Sequence, residues 1–271
     1  MRKEKLALVY DFDKTLSPKD MQEFHYLKTL GYDNPNDFWE ESNIFGVKNH
    51  CDSILSYLYL IVAKDKDLTR DKLINEGKYI KLYKGVDTWF KRINAYGKKH
   101  GVEVEHYIIS SGLEDMIMGT SIANEFKKVY ACSYVYDKDG KAVWPNRVVN
   151  YTQKTQYLYR IYKGVFDVTN DKDLNNSIPD EKKYLKLENM IYFGDGQTDV
   201  PSMKTVNNNG GYTIAVFGDH KTKKQKALEL YNEKRANFVA KADYSKDSKI
   251  EKIVKKIIDN IEAENELKEF R

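Results

Sequence analysis

Apolar positions along this chain fall into two regimes. From residue 85 onward, short continuous apolar runs alternate with segments whose apolar residues recur at helical spacing. The runs 104–110, 128–136, 190–194 and 212–217 read as strands, as does 5–10 near the start. Continuous apolarity marks strands buried on both faces, the habit of parallel sheets. The segments 87–99, 113–126, 153–163 and 200–207 have a helical period. This alternation predicts an α/β chain with helices on the faces of a parallel sheet. Phe238-Val-Ala-Lys-Ala adds a short edge strand. Ile250, Ile253, Val254, Ile257, Ile258 and Ile261 form the apolar stripe of a C-terminal helix, read as a face packed on the sheet rather than one that binds a partner.

Residues 18–83 break the alternation. They read as several helices and no strand, with clear periods at 21–30 and 53–63. Asp52 can cap the second of these, and Thr69 the next, with Asp71 and Lys72 in its first turn. The pattern divides the chain into a core of 1–17 plus 84–271 and a helical insertion, 18–83. Asp137-Lys-Asp-Gly140-Lys between two strand-like runs predicts a β-hairpin turn. Residues 167–180, rich in Asn, Asp and Ser, read as an exposed loop.

Bulk properties narrow the class. The chain has 271 residues, 41% hydrophobic and 32% charged, ordinary for a globular protein with a sizeable core. A net charge of +4 with interspersed signs does not call for nucleic acid. No segment approaches the roughly 18–20 apolar residues of a spanning helix, so no membrane role is expected. Cys51 and Cys132 belong to no metal-ligand spacing and read as reduced thiols. With no secretory signal visible, a cytoplasmic protein is expected, a monomer or homodimer.

The candidate chemistry lies where the apolar runs end. Leu6-Ala-Leu-Val-Tyr ends in Asp11-Phe-Asp13-Lys-Thr15. Open α/β sheets place their ligands at such carboxyl ends. One aspartate can attack while its neighbour handles protons, and the pair offers hard oxygens to Mg²⁺. Tyr107-Ile-Ile ends in Ser110-Ser111-Gly112, and Met190-Ile-Tyr-Phe in Gly194-Asp195-Gly196-Gln-Thr-Asp199. Between them Lys154 opens a helical pattern. Read singly, Lys154 could be a surface lysine, Ser110 a strand-end capping hydroxyl and Asp199 a helix N-cap.

In this order, the segments resemble the four motifs of the haloacid dehalogenase-like hydrolase superfamily, over roughly residues 6–202. The resemblance implies a Rossmann-like doubly wound parallel sheet. The helical insertion looks like the cap of the phosphoserine phosphatase-like branch. It further implies that Asp11 attacks phosphorus and that Asp13 protonates the leaving alcohol, then activates water. Ser110 would bind the phosphoryl oxygens, helped by Ser111 and Gly112, and Lys154 would separate nucleophile from phosphate. Ser111 departs from the glycine common in phosphoserine phosphatases. Mg²⁺ would be held by Asp11, the Asp13 carbonyl and Asp195, with Asp199 orienting the site. Asp13 argues against dehalogenation, which needs no acid there. In the insertion, Asp20 could meet a substrate amine and Arg70 a substrate carboxylate. The aromatics Phe24, Tyr26, Phe38, Trp39, Phe45, Tyr57, Tyr59, Tyr79 and Tyr83 read as core before cation box. The leading expectation is a Mg²⁺-dependent phosphatase acting on a small phosphorylated metabolite. The alternatives are a phosphotransferase or mutase on the same scaffold, and a non-catalytic binding protein.

Overall fold

The run Leu6–Tyr10 has no exposed residue on either face. A strand so buried needs neighbours on both edges and helices on both faces, and it has them. The computed structural model describes residues 4–179, 182–268 and 270; Asp180, at the end of the expected loop, lies outside them. Seven strands form one sheet: β1 Glu4–Tyr10, β2 Val102–Leu113, β3 Lys128–Tyr136, β4 Ala142–Arg147, β5 Met190–Gly194, β6 Tyr212–Phe217 and β7 Phe238–Lys241. Their order is β4-β3-β2-β1-β5-β6-β7. All pairs are parallel except β3 with β4, the expected hairpin, where Asp137 Oδ1 accepts from the Asp139 and Lys141 amides.

The chain crosses from β1 to β2 on one side and returns to β5 on the other. The crevice at this switch point therefore opens at the carboxyl end of β1, between those of β2 and β5. Segments separated by about a hundred residues of sequence meet there for this topological reason.

Eleven helices can be followed among the described residues. Four lie after β1: α1 Tyr26–Thr29, α2 Pro35–Asn49, α3 Ser53–Lys64 and α4 Arg70–Gly77. Then come α5 Val86–Lys99, α6 Glu114–Met118, α7 Gln153–Lys163, α8 Asp171–Asn175, α9 Val200–Asn208, α10 Lys221–Asn232 and α11 Lys249–Lys268. α11 buries Ile250, Val254, Ile257, Ile258 and Ile261 against α5 and the sheet, as the stripe predicts. The Asp52 side chain caps α3, accepting from the Ile54 and Leu55 amides, and Thr69 Oγ1 accepts from Lys72 at the start of α4.

The expected helix 113–126 is much shorter. β2 continues to Leu113, and α6 ends at Gly119, where α4 crosses it. A methyl group on Gly119 would come within 1.9 Å of the Ile74 carbonyl oxygen, and one on Gly77 within 2.1 Å of that of Met116. The two backbones thus pack at a distance only glycine permits.

This contact docks the helical segment on the sheet's carboxyl end. Further ties are Ala142 N to Leu68 O at 2.8 Å, the Tyr134 hydroxyl to Leu58 O at 3.0 Å, and the Tyr57 hydroxyl to Ser111 O at 2.5 Å. Tyr83 N donates to Leu16 O at 2.9 Å, so the two chain passages joining the segment to the sheet are bonded to each other.

Candidate active site

Asp11 follows the last residue of β1, and its amide still donates to Phe193 O at 2.9 Å, continuing the β1–β5 pairing. Its side chain is nearly buried. Oδ1 accepts from the Phe12 amide at 2.8 Å, and Oδ2 lies 3.1 Å from Lys154 Nζ. Lys154, in the first turn of α7, is fully buried, so it is no surface lysine. Its ammonium also donates to Asp199 Oδ1 at 2.8 Å.

Asp199 is a hub. Its Oδ1 additionally accepts from the Tyr192 hydroxyl at 2.7 Å, and its Oδ2 from the amides of Asp195 at 3.1 Å and Gly196 at 3.4 Å. A methyl group on Gly194 would come within 2.4 Å of this carboxylate, so the strand must end in glycine here. Tyr192 was not anticipated as a site residue. A tyrosine inside a fully apolar strand was the available signal, because its buried hydroxyl needs a partner.

Asp13 points toward the helical segment. Its Oδ1 accepts from the Met21 amide at 2.8 Å. Ser110 Oγ accepts from the Gly112 amide at 3.1 Å, curling the end of β2 over the site. Asp11, Asp13, Asp20, Ser110, Ser111, Gly112 and Asp195 line one cavity of about 730 Å³, and Lys154 and Asp199 lie beneath its floor.

Of the two expected substrate contacts, Asp20 lines the cavity and Arg70 does not. Asp20 pairs with Lys14 at 2.5 Å, so one of its oxygens already holds an ammonium. Lys14 is one of four non-glycine residues with positive φ among the described residues. Arg70 does not line the cavity. At the start of α4, it lies 3.6 Å from Asp115 of α6 and over the Tyr136 ring of β3, where α4 packs on α6. Lys223 on α10 also lines the cavity, 3.7 Å from Asp195; nothing in its lysine-rich surroundings distinguished it in the sequence.

Crowded acids set the electrostatics. Burial, then Asp199, pushes the Asp11 carboxyl up to about 6 against the pull of Lys154. Burial, with Asp199 and Asp11, pushes Asp195 up to about 7. Burial and then the charges of Asp20 and Asp11 hold Asp13 well above the ordinary carboxylate range. For Lys154, burial alone would favour the neutral amine, but Asp11 and Asp199 outweigh it and raise its pKa well above the usual lysine value.

The donor set fits a hard divalent cation. Oxygens of Asp11, Asp195 and Asp199 lie within 4.8 Å of one another. Burial raises the Asp11 and Asp195 carboxyls first, and the neighbouring carboxylates raise them further. Each Asp199 oxygen accepts from two donors and each Asp11 oxygen has one, which leaves Asp11 and Asp195 as the freer donors.

The fold is that of the haloacid dehalogenase-like hydrolases, as the ordered motifs imply. No family model matches the chain. It is similar to a substrate-bound phosphoserine phosphatase, at 18% identity and TM-score 0.53, covering 88% of this chain and 93% of that one. A phosphoserine phosphatase carrying a phospho-aspartyl intermediate analogue gives 18% identity and TM-score 0.51 over 88% and 93%. A probable phosphoserine phosphatase from Vibrio cholerae gives 15% and TM-score 0.59 over 97% of this chain and 67% of that one. In sequence, an uncharacterized protein of Borreliella burgdorferi is 27% identical over 92% of this chain and 95% of its own length. Among the described residues, no helix is long and apolar enough to cross a membrane.

Proposed function

We propose that the protein is a Mg²⁺-dependent phosphatase that hydrolyses a small phosphomonoester through an aspartyl-phosphate on Asp11. The observation that carries this reading is the buried Lys154 ammonium held between Asp11 and Asp199. A fixed cation beside a strand-end carboxylate lets that carboxylate approach an anionic phosphate.

Asp11 attacks phosphorus with a carboxylate oxygen, and the ester P–O bond breaks. Asp13, whose protonated form is favoured by burial and by the charges of Asp20 and Asp11, delivers a proton to the departing alkoxide. Its Met21 hydrogen bond fixes the direction of that delivery. Asp13, now ionised, then takes a proton from the water that attacks the acyl phosphate, which releases inorganic phosphate and restores Asp11. Ser110 Oγ and the amides near Ser111 and Gly112 bind the phosphoryl oxygens. Mg²⁺, when bound by Asp11, Asp195 and the Asp13 carbonyl under the orientation of Asp199, would neutralise phosphoryl charge.

In this reading, residues 18–83 act as a cap over a core of 1–17 and 84–271. The enzyme works in the cytoplasm on a small metabolite, in keeping with two free cysteines, Cys51 and Cys132. The test is turnover of p-nitrophenyl phosphate with Mg²⁺ and with excess chelator, for wild type and Asp11→Asn. We expect hydrolysis that the chelator abolishes. Asp11→Asn should lose at least about 10⁴-fold, together with the acid-stable phosphoenzyme. Undiminished turnover by that variant would overturn the mechanism.

A further inference from the structure

The cavity extends well beyond the space a phosphate needs, and its outer wall comes from α2, α3 and the turn before them. We propose that this wall reads an uncharged, polyhydroxylated leaving group, so that the substrate is a sugar or polyol phosphate. The inference rests on the phosphatase reading above.

The first argument is charge. A leaving group with a carboxylate needs a free cation, and one with an ammonium needs a free anion. α2 and α3 contribute no charged side chain to the lining; between them stands only the exposed imidazole of His50. Of the other lining charges outside the catalytic aspartates, Lys14 pairs with Asp20 at 2.5 Å, and Lys223 stands 3.7 Å from Asp195, at the metal end of the cavity rather than on this wall.

The second argument is an orphaned acceptor. Gln22 lines the cavity and is 2% exposed, and its Oε1 is enclosed without a hydrogen-bond partner. It follows Met21, whose amide holds the general acid Asp13, and it lines the same cavity as Asp13. Ser111 Oγ, also on the lining, is likewise buried without a partner. Buried polar atoms are normally satisfied, and these two ask for hydroxyl groups from a ligand. Ser42 and Asn43 of α2 add a hydroxyl and a carboxamide to the same wall.

The third is a platform. Trp39 lines the cavity with its indole N–H fixed on Glu23 Oε1 at 2.9 Å and its ring set edge-to-face on Tyr57. A ring locked in this way offers a flat apolar face to the C–H side of a sugar.

The experiment compares kcat/KM for glucose 6-phosphate, sorbitol 6-phosphate, phosphoserine, phosphoethanolamine and p-nitrophenyl phosphate with Mg²⁺. At least one neutral sugar or polyol ester should exceed phosphoserine and phosphoethanolamine by about tenfold or more. Hydrolysis of the aryl ester without such a preference would overturn this inference and leave the phosphatase reading standing. No hydrolysis of any ester, the aryl one included, would overturn both. Gln22→Leu should lose about tenfold more on the preferred ester than on the aryl ester, mainly through KM. Gln22→Glu keeps the shape and adds an anion, so it should move selectivity toward phosphoethanolamine. It carries the test if the Leu variant fails to melt cooperatively. Equal losses on all esters would remove Gln22 from leaving-group recognition.

Discussion

The floor and the roof of the cavity are built on opposite terms. The floor is charged, buried and fully connected: Lys154 touches Asp11 and Asp199, and Asp199 is held by Tyr192 and two backbone amides. The roof supplied by α2 and α3 is uncharged, and beside it the Gln22 acceptor is unpaired. Phosphoryl transfer needs charges at fixed atoms before the substrate arrives, which favours rigid strand ends. Recognition of an alcohol needs shape and hydrogen-bonding capacity that the ligand itself completes. The difference teaches where to expect tolerance: a change in the floor should cost rate on every ester, and a change in the roof should re-rank esters.

Asp13→Asn should have the largest effect in this comparison. In the proposed mechanism, loss of the general acid should lower turnover by about 10²–10⁴-fold on an alkyl phosphate. On p-nitrophenyl phosphate, whose leaving group needs little help from a proton, the loss should be much smaller. Equal losses would remove Asp13 from proton transfer.

Lys154→Met tests whether the floor is a connected unit. Removing one partner of a buried ion pair leaves Asp11 and Asp199 uncompensated, at a cost of about 3–5 kcal/mol in stability. Urea unfolding of the metal-free protein measures it. Because the lost charge also leaves two carboxylates facing each other, Mg²⁺ should recover more stability in the variant than in wild type. A variant as stable as wild type would contradict the buried pair.

Gly77→Ala probes the joint between floor and roof. The added methyl meets the Met116 carbonyl at 2.1 Å, so α4 and α6 must separate. Overpacking of this kind costs about 1–3 kcal/mol. It should also raise KM on the preferred ester more than on the aryl ester, because the roof shifts and the floor does not. An unchanged melting curve would mean the joint is loose.

The smallest effect lies far from both surfaces. His106 is buried between the Tyr10 hydroxyl and Asn94, and burial pushes its pKa down to about 3. Above pH 6.5 the ring is neutral folded and unfolded, and titration contributes nothing. As pH falls below 6.5 the unfolded chain takes a proton that the native state refuses, so stability is lost. The slope is about 1.4 kcal/mol per pH unit, or roughly 2 kcal/mol between pH 6.5 and 5. Asp11 and Asp195, with raised values, act with the opposite sign, gaining stability as pH falls through 7 and 6. The difference between wild type and His106→Gln at each pH isolates the histidine. A constant difference from pH 7 to 5 would mean that His106 titrates in the native state as it does in the unfolded chain.

Much of this architecture is legible in the residues themselves, and the legible part is the local part. Continuous apolar runs mark the strands because burial on both faces leaves no room for polar alternation. Asp52, Thr69 and the Asp137–Gly140 turn announce themselves because capping and turning are settled within a few residues. The aspartates at the ends of β1 and β5 are readable for the same reason: a carboxylate directly after a buried strand has only one place to be.

What the tertiary structure decided concerns pairs that no local pattern couples. Asp20 and Arg70 are alike as candidate contacts by residue type, yet folding puts Asp20, paired with Lys14, on the cavity and sets Arg70 against Asp115 and Tyr136 outside it. α6 is shorter than its apolar period because its end is dictated by α4 crossing at Gly119, more than 40 residues away in sequence. Gln22 reads as an ordinary polar residue in a helical stretch until folding encloses its carbonyl beside Asp13. The sequence by itself determined the sheet, its strand-end carboxylates and the caps, since each follows from burial or hydrogen bonding among near neighbours. Which charges meet, which are spent on one another and which polar atoms are left waiting depended on long-range packing, where contact is a property of the whole chain.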